Sequence, residues 1–181
     1  LCQWVGVTNV WSTASAGKAD IIRSYDAVAI DRHNENFVEI VRSQTNGRGV
    51  DHILDPIGGE HLKRSLSVLA QGGKLYTYGM SSAAPSSKRS LWKALKALRS
   101  RPRFDPMLMM SRNQGVFGVH MGTWIDEDVM QEQMQNILKG IKEGALTPII
   151  DSIYDAKDVA KAHQHIHDGK NIGKVLLKFV E

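Results

Sequence analysis

Apolar and polar positions alternate over short distances, and the period switches repeatedly between strand-like and helix-like spacing. The clearest stretch runs from Val50 to Gly79. Val50-Asp51-His52-Ile53-Leu54 reads as a buried strand and Asp55-Pro56-Ile57-Gly58-Gly59 as a tight turn. Leu62, Leu66 and Leu69 fall at helical spacing, and Lys74-Leu75-Tyr76-Thr77-Tyr78 follows Gly72-Gly73 as a second strand. A helix between two strands is the crossover that a parallel pair requires. It leaves both strand C-terminal ends on one rim, just after Leu54 and Tyr78, where open α/β sheets bind ligands.

The same rhythm extends to both sides. Leu1, Cys2, Trp4 and Val5 read as the last turn of an apolar helix ended by Gly6, and Asn9 to Ala14 as a strand. Ser15 is placed to cap a helix reaching to about Tyr25, and Ala27 to Ile30 form a short buried strand. Asn36 with Glu39 three residues on suggests a capped helix whose core face is Phe37, Ile40 and Val41. After a Ser/Ala/Pro loop at 81–87, a strand is expected at Gly115 to Val119. Met130, Met134, Ile137, Leu138 and Ile141 then mark the apolar stripe of a helix closed by Gly144. Ile149 to Tyr154, a helix from Asp155 to His167 and a strand from Val175 to Phe179 end the chain. The order predicts a doubly wound parallel sheet of Rossmann type, truncated at its N-terminus. We expect a dinucleotide-binding domain over residues 1–145 lacking its first strand and Gly-rich turn, and a C-terminal tail over 146–181 that would pack on a catalytic domain absent from this chain.

With 181 residues, 42% of them hydrophobic, the chain can build a proper core. No apolar run approaches the roughly 20 residues that span a bilayer, and no leader pattern opens the chain, so a cytoplasmic location is expected. Cys2 is the single cysteine, which excludes a disulfide framework and a cysteine-based zinc cluster. The net charge of +4 is local in origin, because Lys88 to Arg103 holds seven cations and no acid.

No G-x-G-x-x-G is present, and the Gly-Lys at Gly169 lacks the Ser or Thr of a phosphate loop. The pyrophosphate turn is therefore expected upstream of Leu1, in a longer protein. Where the strand ending at Ala14 would select the cofactor, the chain offers Ser15 and Lys18 with no acid before Asp20, and Arg32 follows the next strand. Cations there favour NADPH over NADH.

Ser12-Thr13-Ala14-Ser15, Gly49-Val50-Asp51, Asp55-Pro56-Ile57-Gly58-Gly59, Gly72-Gly73-Lys74, Tyr78-Gly79-Met80, Phe117-Gly118 and Asn171-Ile172-Gly173-Lys174-Val175 together resemble the medium-chain dehydrogenase/reductase superfamily. Within it the chain is most similar to the quinone oxidoreductase (zeta-crystallin) group and its vesicle amine transport protein branch. The resemblance implies an NADPH-dependent oxidoreductase that passes hydride to a quinone or enone without a catalytic zinc, with catalytic residues outside this chain. It places Ser15 and Lys18 at the 2′-phosphate, and Pro56 and Gly58 beside the adenine ribose and pyrophosphate. Gly79 and Met80 would flank the nicotinamide ribose, and Phe117, Gly118 and Val119 would line the nicotinamide. Asn171 would close the site from the tail. Arg32 stands where an aromatic residue is usual.

His163, His165 and His167 cluster, but no acid or cysteine completes a metal set, so a surface or domain-contact role and no metal are expected. His120, after the nicotinamide-lining strand, reads as near substrate or as a hydrogen-bonding residue. Segment 88–103 supplies a second, non-enzymatic reading. Leu91, Leu95 and Leu98 with Trp92 oppose Lys88, Arg89, Lys93, Lys96 and Arg99, a pattern that suits an anionic membrane or a partner surface, with the leucines packed on the domain as the plainer alternative. No nucleic acid partner is expected. The unpaired edge at 115–119 is a possible homodimer contact.

Overall fold

The computed structural model describes residues 1–81, 95 and 103–179. Apart from Leu95 and Arg103, the basic segment 88–103 lies outside the described residues, as does most of the loop before it. The described chain is α/β, with seven strands: β1 (Trp11–Ala14), β2 (Val28–Asp31), β3 (Val50–Asp55), β4 (Leu69–Thr77), β5 (Gly115–Gly118), β6 (Ile150–Asp155) and β7 (Lys174–Lys178). The helices are α1 (Ala19–Arg23), α2 (Phe37–Gln44), α3 (Gly59–Ser67), α4 (Pro106–Arg112), α5 (Glu127–Lys142) and α6 (Val159–His167). Hydrogen bonding groups the strands as β1-β2, β3-β4-β5 and β6-β7. The chain divides into two compact units, residues 1–29 with 126–181 and residues 30–125.

In the second unit β3, β4 and β5 are parallel, and α3 is the crossover between the first two. Alternation sets the core. Ile53, Leu75 and Val116 stand side by side in the register and share the sheet face on which Leu62 and Leu66 of α3, Leu69 and Phe104 also pack. Leu75 is fully buried. Helix α2 starts as its sequence anticipates, with the Asn36 carboxamide oxygen accepting the Val38 N–H at 3.2 Å and its amide donating to Glu39 at 2.7 Å. Phe37 stacks on His61 of α3 (5.1 Å between centroids), and the Arg64 guanidinium lies 4.6 Å over the Phe37 ring.

Strand β4 departs from the sequence reading. Leu69 opens this strand instead of ending α3, and Gly72-Gly73 lies inside the strand rather than before it. The reason is a bulge: Val50 pairs with Leu69, but two residues later His52 pairs with Lys74. Gly72 turns through φ +77°, and a side chain on Gly73 would strike the Ala70 carbonyl.

In the first unit Ser15 occupies the N-cap position of a 3₁₀ turn, Ala16–Lys18, without a side-chain capping bond, and only the short α1 follows. The expected continuous helix is thus split. Strands β6 and β7 are parallel, with Asp151 as the extra residue of a bulge between Ile150 and Ser152. The apolar stripe of α5 lies on its helix as expected, but its members remain exposed, and Gly140 alone of that helix is buried.

Gly49 tests the packing of the second unit. It adopts φ +84°, its N–H donates to the Thr45 hydroxyl at 3.0 Å, and an added Cβ would collide with the Val68 carbonyl, which itself accepts the Val50 N–H. Gly49→Ala is expected to lower stability by about 3 kcal/mol, combining left-handed strain with displacement of the β3–β4 start. Urea unfolding with an unchanged slope and a lower midpoint would register it.

Candidate functional site

The three strands of the second unit end in register, with Asp55 beside Thr77 and Thr77 beside Gly118. The loops that leave these ends are tied together by backbone bonds. Tyr78 N–H donates to Asp55 C=O (3.1 Å), Ser81 N–H to Pro56 C=O (3.1 Å) and Val119 N–H to Thr77 C=O (2.9 Å). Gly79 is pressed on Pro56, and a Cβ there would lie 2.6 Å from the Pro56 carbonyl oxygen. Gly58 adopts φ +74° against Gly79 and Met80. Thus Pro56, Gly58, Gly79, Met80, Gly118 and Val119 come together on one rim. At Gly118 a Cβ would meet nothing within 4 Å, which leaves open space at the end of β5. Tyr78 and Met80 are exposed beside it.

Phe117 belongs to a different surface. It alternates away from Val116 and so lies on the sheet face opposite α3, its ring stacked on Tyr76 (5.5 Å), which in turn stacks on His52 (6.1 Å). The ring leans back over Gly115, away from the strand end.

Beneath the rim Asp55 is 1% exposed. One carboxylate oxygen accepts the N–H groups of Ile57 (2.8 Å) and Gly58 (2.9 Å). The other accepts the Ser65 hydroxyl (2.9 Å) and Nδ1–H of His61 (2.9 Å). Burial opposes the charge, but the hydrogen bonds from His61, the two amides and Ser65 outweigh it and hold the Asp55 pKa down at about 2. The Ile57 and Gly58 amides, just ahead of α3, are consequently spent on an internal carboxylate. Gly58 has no N–H left for a bound phosphate, and what it offers the rim is close approach. Sequence reasoning quoted Asp55 but missed this cluster. The signal was there in an Asp followed by a Pro-x-Gly turn, with His61 and Ser65 four apart on one helix side.

Arg32 follows β2 in a turn organised by Asp31, which accepts the His33 N–H and the Asn34 amide. The His33 backbone bond above all lowers the Asp31 pKa. The Arg32 side chain donates to His33 Nε2 at 3.2 Å. Ser15 and Lys18 belong to the first unit. Asp20 pairs with Arg23 (3.0 Å), while Lys18 makes no ion pair among the described residues. Asn171 folds on itself, donating to the Gly173 carbonyl (2.9 Å). Its loop is anchored by Asp151, which accepts Ile172 N–H (2.6 Å), the Ser152 hydroxyl (2.9 Å) and Nε2–H of His165 (2.7 Å). The bond from Ile172, followed by those from Ser152 and His165, lowers the Asp151 pKa. His165 is therefore tied into its own unit. Among the described residues His120 bonds within its turn, its Nδ1 lying 3.3 Å from the Thr123 hydroxyl. Among the described residues no three His, Cys, Asp or Glu side chains gather in a group that could hold a metal ion.

The ends of three parallel strands thus lie on one rim bordered by glycines, the side on which open α/β sheets bind ligands. Residues 25–177 match the family model described as zinc-binding dehydrogenase, and the chain belongs to that family. The synaptic vesicle membrane protein VAT-1 homolog of Rattus norvegicus is 30% identical over 180 residues, covering 98% of this chain and 44% of the relative. The chain thus spans less than half of that relative's length. The JamJ enoyl reductase superposes with a TM-score of 0.76 at 20% identity, covering 99% of this chain and 49% of that one. The quinone oxidoreductase of Pseudomonas syringae pv. Tomato DC3000 gives 0.73 at 21% identity, covering 97% and 51%. These likenesses establish a Rossmann-like cofactor-domain fold.

Because the native Asp55 pKa lies below the ordinary carboxylate value, its ion stabilises the fold above the unfolded pKa, and that stability is lost as pH falls toward about 2. The contribution is about 2 kcal/mol. Asp55→Asn is expected to flatten the acid limb of a stability-against-pH curve measured by urea unfolding. An unchanged limb would assign the acid sensitivity elsewhere.

Proposed function

We propose that this chain supplies the cofactor-binding part of a cytoplasmic, zinc-independent, NADPH-dependent oxidoreductase that reduces a quinone or enone. The observation that carries the reading is the rim itself. Three parallel strand ends lie in register, and backbone crowding at Gly79 leaves no side chain between the Pro56 and Tyr78 loops. A bound nicotinamide nucleotide would supply the hydride. The chain's own residues would shape its seat: Pro56 and Gly58 by close approach, Gly79 and Met80 beside a ribose, Gly118 and Val119 at the open end of β5. In the first unit, Lys18, with no acidic partner among the described residues, supports a preference for the 2′-phosphate, and Ser15 and Asn171 are assigned to the same cofactor by the family resemblance. We take the cofactor domain to extend to about Ala145.

NADPH is expected to bind this chain at least about tenfold more tightly than NADH, a difference of about 1.4 kcal/mol. Lys18→Ala should remove the preference while leaving the circular dichroism spectrum unchanged. Calorimetric titration reads both. Equal affinities, or no binding by the folded chain, would overturn the assignment.

The relatives' description as synaptic vesicle membrane proteins favours a second reading, in which segment 88–103 attaches the protein to an anionic surface. Among the described residues no helix is long and apolar enough to cross a membrane. Pelleting with phosphatidylserine vesicles should fall with rising salt and with Lys93→Glu plus Lys96→Glu. A wild-type chain that never pellets removes this reading.

A further inference from the structure

The connection from α2 to β3 reverses on Asn46 and Gly47. Both hold left-handed backbone conformations, φ +51° and +80°, and Arg48 N–H donates to the Thr45 carbonyl at 3.0 Å, the positive-φ pair and closing bond of a type I′ turn. Gly47 N–H donates to the Arg42 carbonyl at 2.7 Å and so finishes α2. Asn46 and Gly47 are exposed, and the Asn46 carboxamide makes no hydrogen bond among the described residues, whereas those of Asn36 and Asn171 are engaged. A Cβ on Gly47 would meet nothing within 4 Å, so the space beside this residue is open. Every other asparagine of the chain precedes a residue that carries a side chain.

We propose that Asn46 is a modification site, at which the chain converts this asparagine to aspartate and isoaspartate through a cyclic imide. The Gly47 main-chain nitrogen attacks the Asn46 side-chain carbonyl carbon, the new N–C bond closes a five-membered ring, and the Cγ–Nδ2 bond breaks. Ammonia leaves with the Gly47 proton. Water then opens the imide at either carbonyl: at the side-chain carbon it yields aspartate, and at the main-chain carbon it moves the backbone onto the side chain as isoaspartate. No electrons are exchanged, and water is the only second reactant. Gly47 brings no side chain to shield its nitrogen, and a glycine backbone rotates most freely into the geometry that the ring needs. The bonds from Gly47 to Arg42 and from Arg48 to Thr45 oppose the reaction, so the ring closes only when the turn opens. Exposed backbone bonds at a helix end are among those that open at the lowest cost. The reaction is confined to two adjacent residues, so it needs no partner surface, and it is independent of the cofactor reading.

The site matters to the fold because Gly49 follows closely. Its N–H is held by the Thr45 hydroxyl and a Cβ there would strike the Val68 carbonyl, so the start of β3 has no slack. Isoaspartate lengthens the main chain of this turn by a methylene. Either product adds a negative charge two residues from Arg48, which already bridges Asp51 at 3.1 Å.

Incubation of the whole chain at mildly alkaline pH in heavy-oxygen water, followed by trypsin and mass spectrometry, tests the proposal. The peptide Ser43–Arg48, released by cleavage after Arg42 and Arg48, should gain the mass of an acid in place of an amide and carry the heavy oxygen. It should elute as two products, of which an isoaspartyl methyltransferase methylates one. The folded chain should convert on the order of tenfold more slowly than the chain unfolded in urea, because two backbone bonds must open first. Thr45→Ala, which removes the hydroxyl that holds Gly49, should speed conversion of the folded chain. Gly47→Ala should slow it severalfold although it loosens the same turn, a result that loss of structure alone does not produce. Asn113 is the internal comparison: exposed and left-handed at φ +51° but followed by Gln114, it should keep its amide over the same period. A Ser43–Arg48 peptide that keeps its mass in the folded chain, or an Asn113 that reacts as fast as Asn46, overturns the proposal.

Discussion

The buried carboxylate of Asp55 is the interaction on which the second unit depends. A charge with 1% exposure is tolerable only when its oxygens are saturated, and four donors converge on it from the turn and from α3. The same four bonds do structural work in three directions. They fold the turn after β3, they satisfy the Ile57 and Gly58 amides just ahead of α3, and they clamp that helix to the strand through His61 and Ser65. His61 carries the constraint onward by stacking on Phe37. Arg64 covers that ring and donates to the Asn36 oxygen (2.9 Å), so the beginning of α2 is located from the same origin.

A similar solution recurs in the first unit. Asp151 is pushed out of the regular β6 ladder by a bulge. It collects a backbone amide, a serine hydroxyl and a histidine from the following helix. In both cases a strand carboxylate organises a loop that the family resemblance associates with the cofactor, and in both a histidine supplies the link to a helix. The loops are held from below, by groups that do not face the rim.

Much of this was legible in the chain. The parallel β3-α3-β4 unit followed from period switching between glycine pairs. The Asn36–Glu39 spacing announced α2, and Gly144 marked the end of α5, turning through φ +74°. What escaped has physical causes. Leu69 sits at helical distance from Leu62 and Leu66, and nothing local says that the strand already begins at Leu69 or that a Gly72 in a left-handed conformation will let the chain resume pairing at Lys74. The bulge at Asp151 depends on an amide twenty-one residues away, and the tie from His165 to Asp151 spans fourteen. The period of α5 revealed a stripe, but periodicity reports that a face is apolar and not what lies against it. The rim residues were named by family resemblance. The structure adds that Gly58 has already committed its N–H and that the Phe117 ring lies on the far sheet face.

The contact between Gly79 and Pro56 has a mechanical meaning. With no side chain between them and a backbone hydrogen bond on either side, Pro56 and Gly79 tie together the first residues that leave β3 and β4. They form one stiff bracket. From Pro56 the contacts continue through Asp55 and His61 to the root of α3 and the ring of Phe37. The rim is thereby joined by an unbroken series of contacts to the roots of two helices.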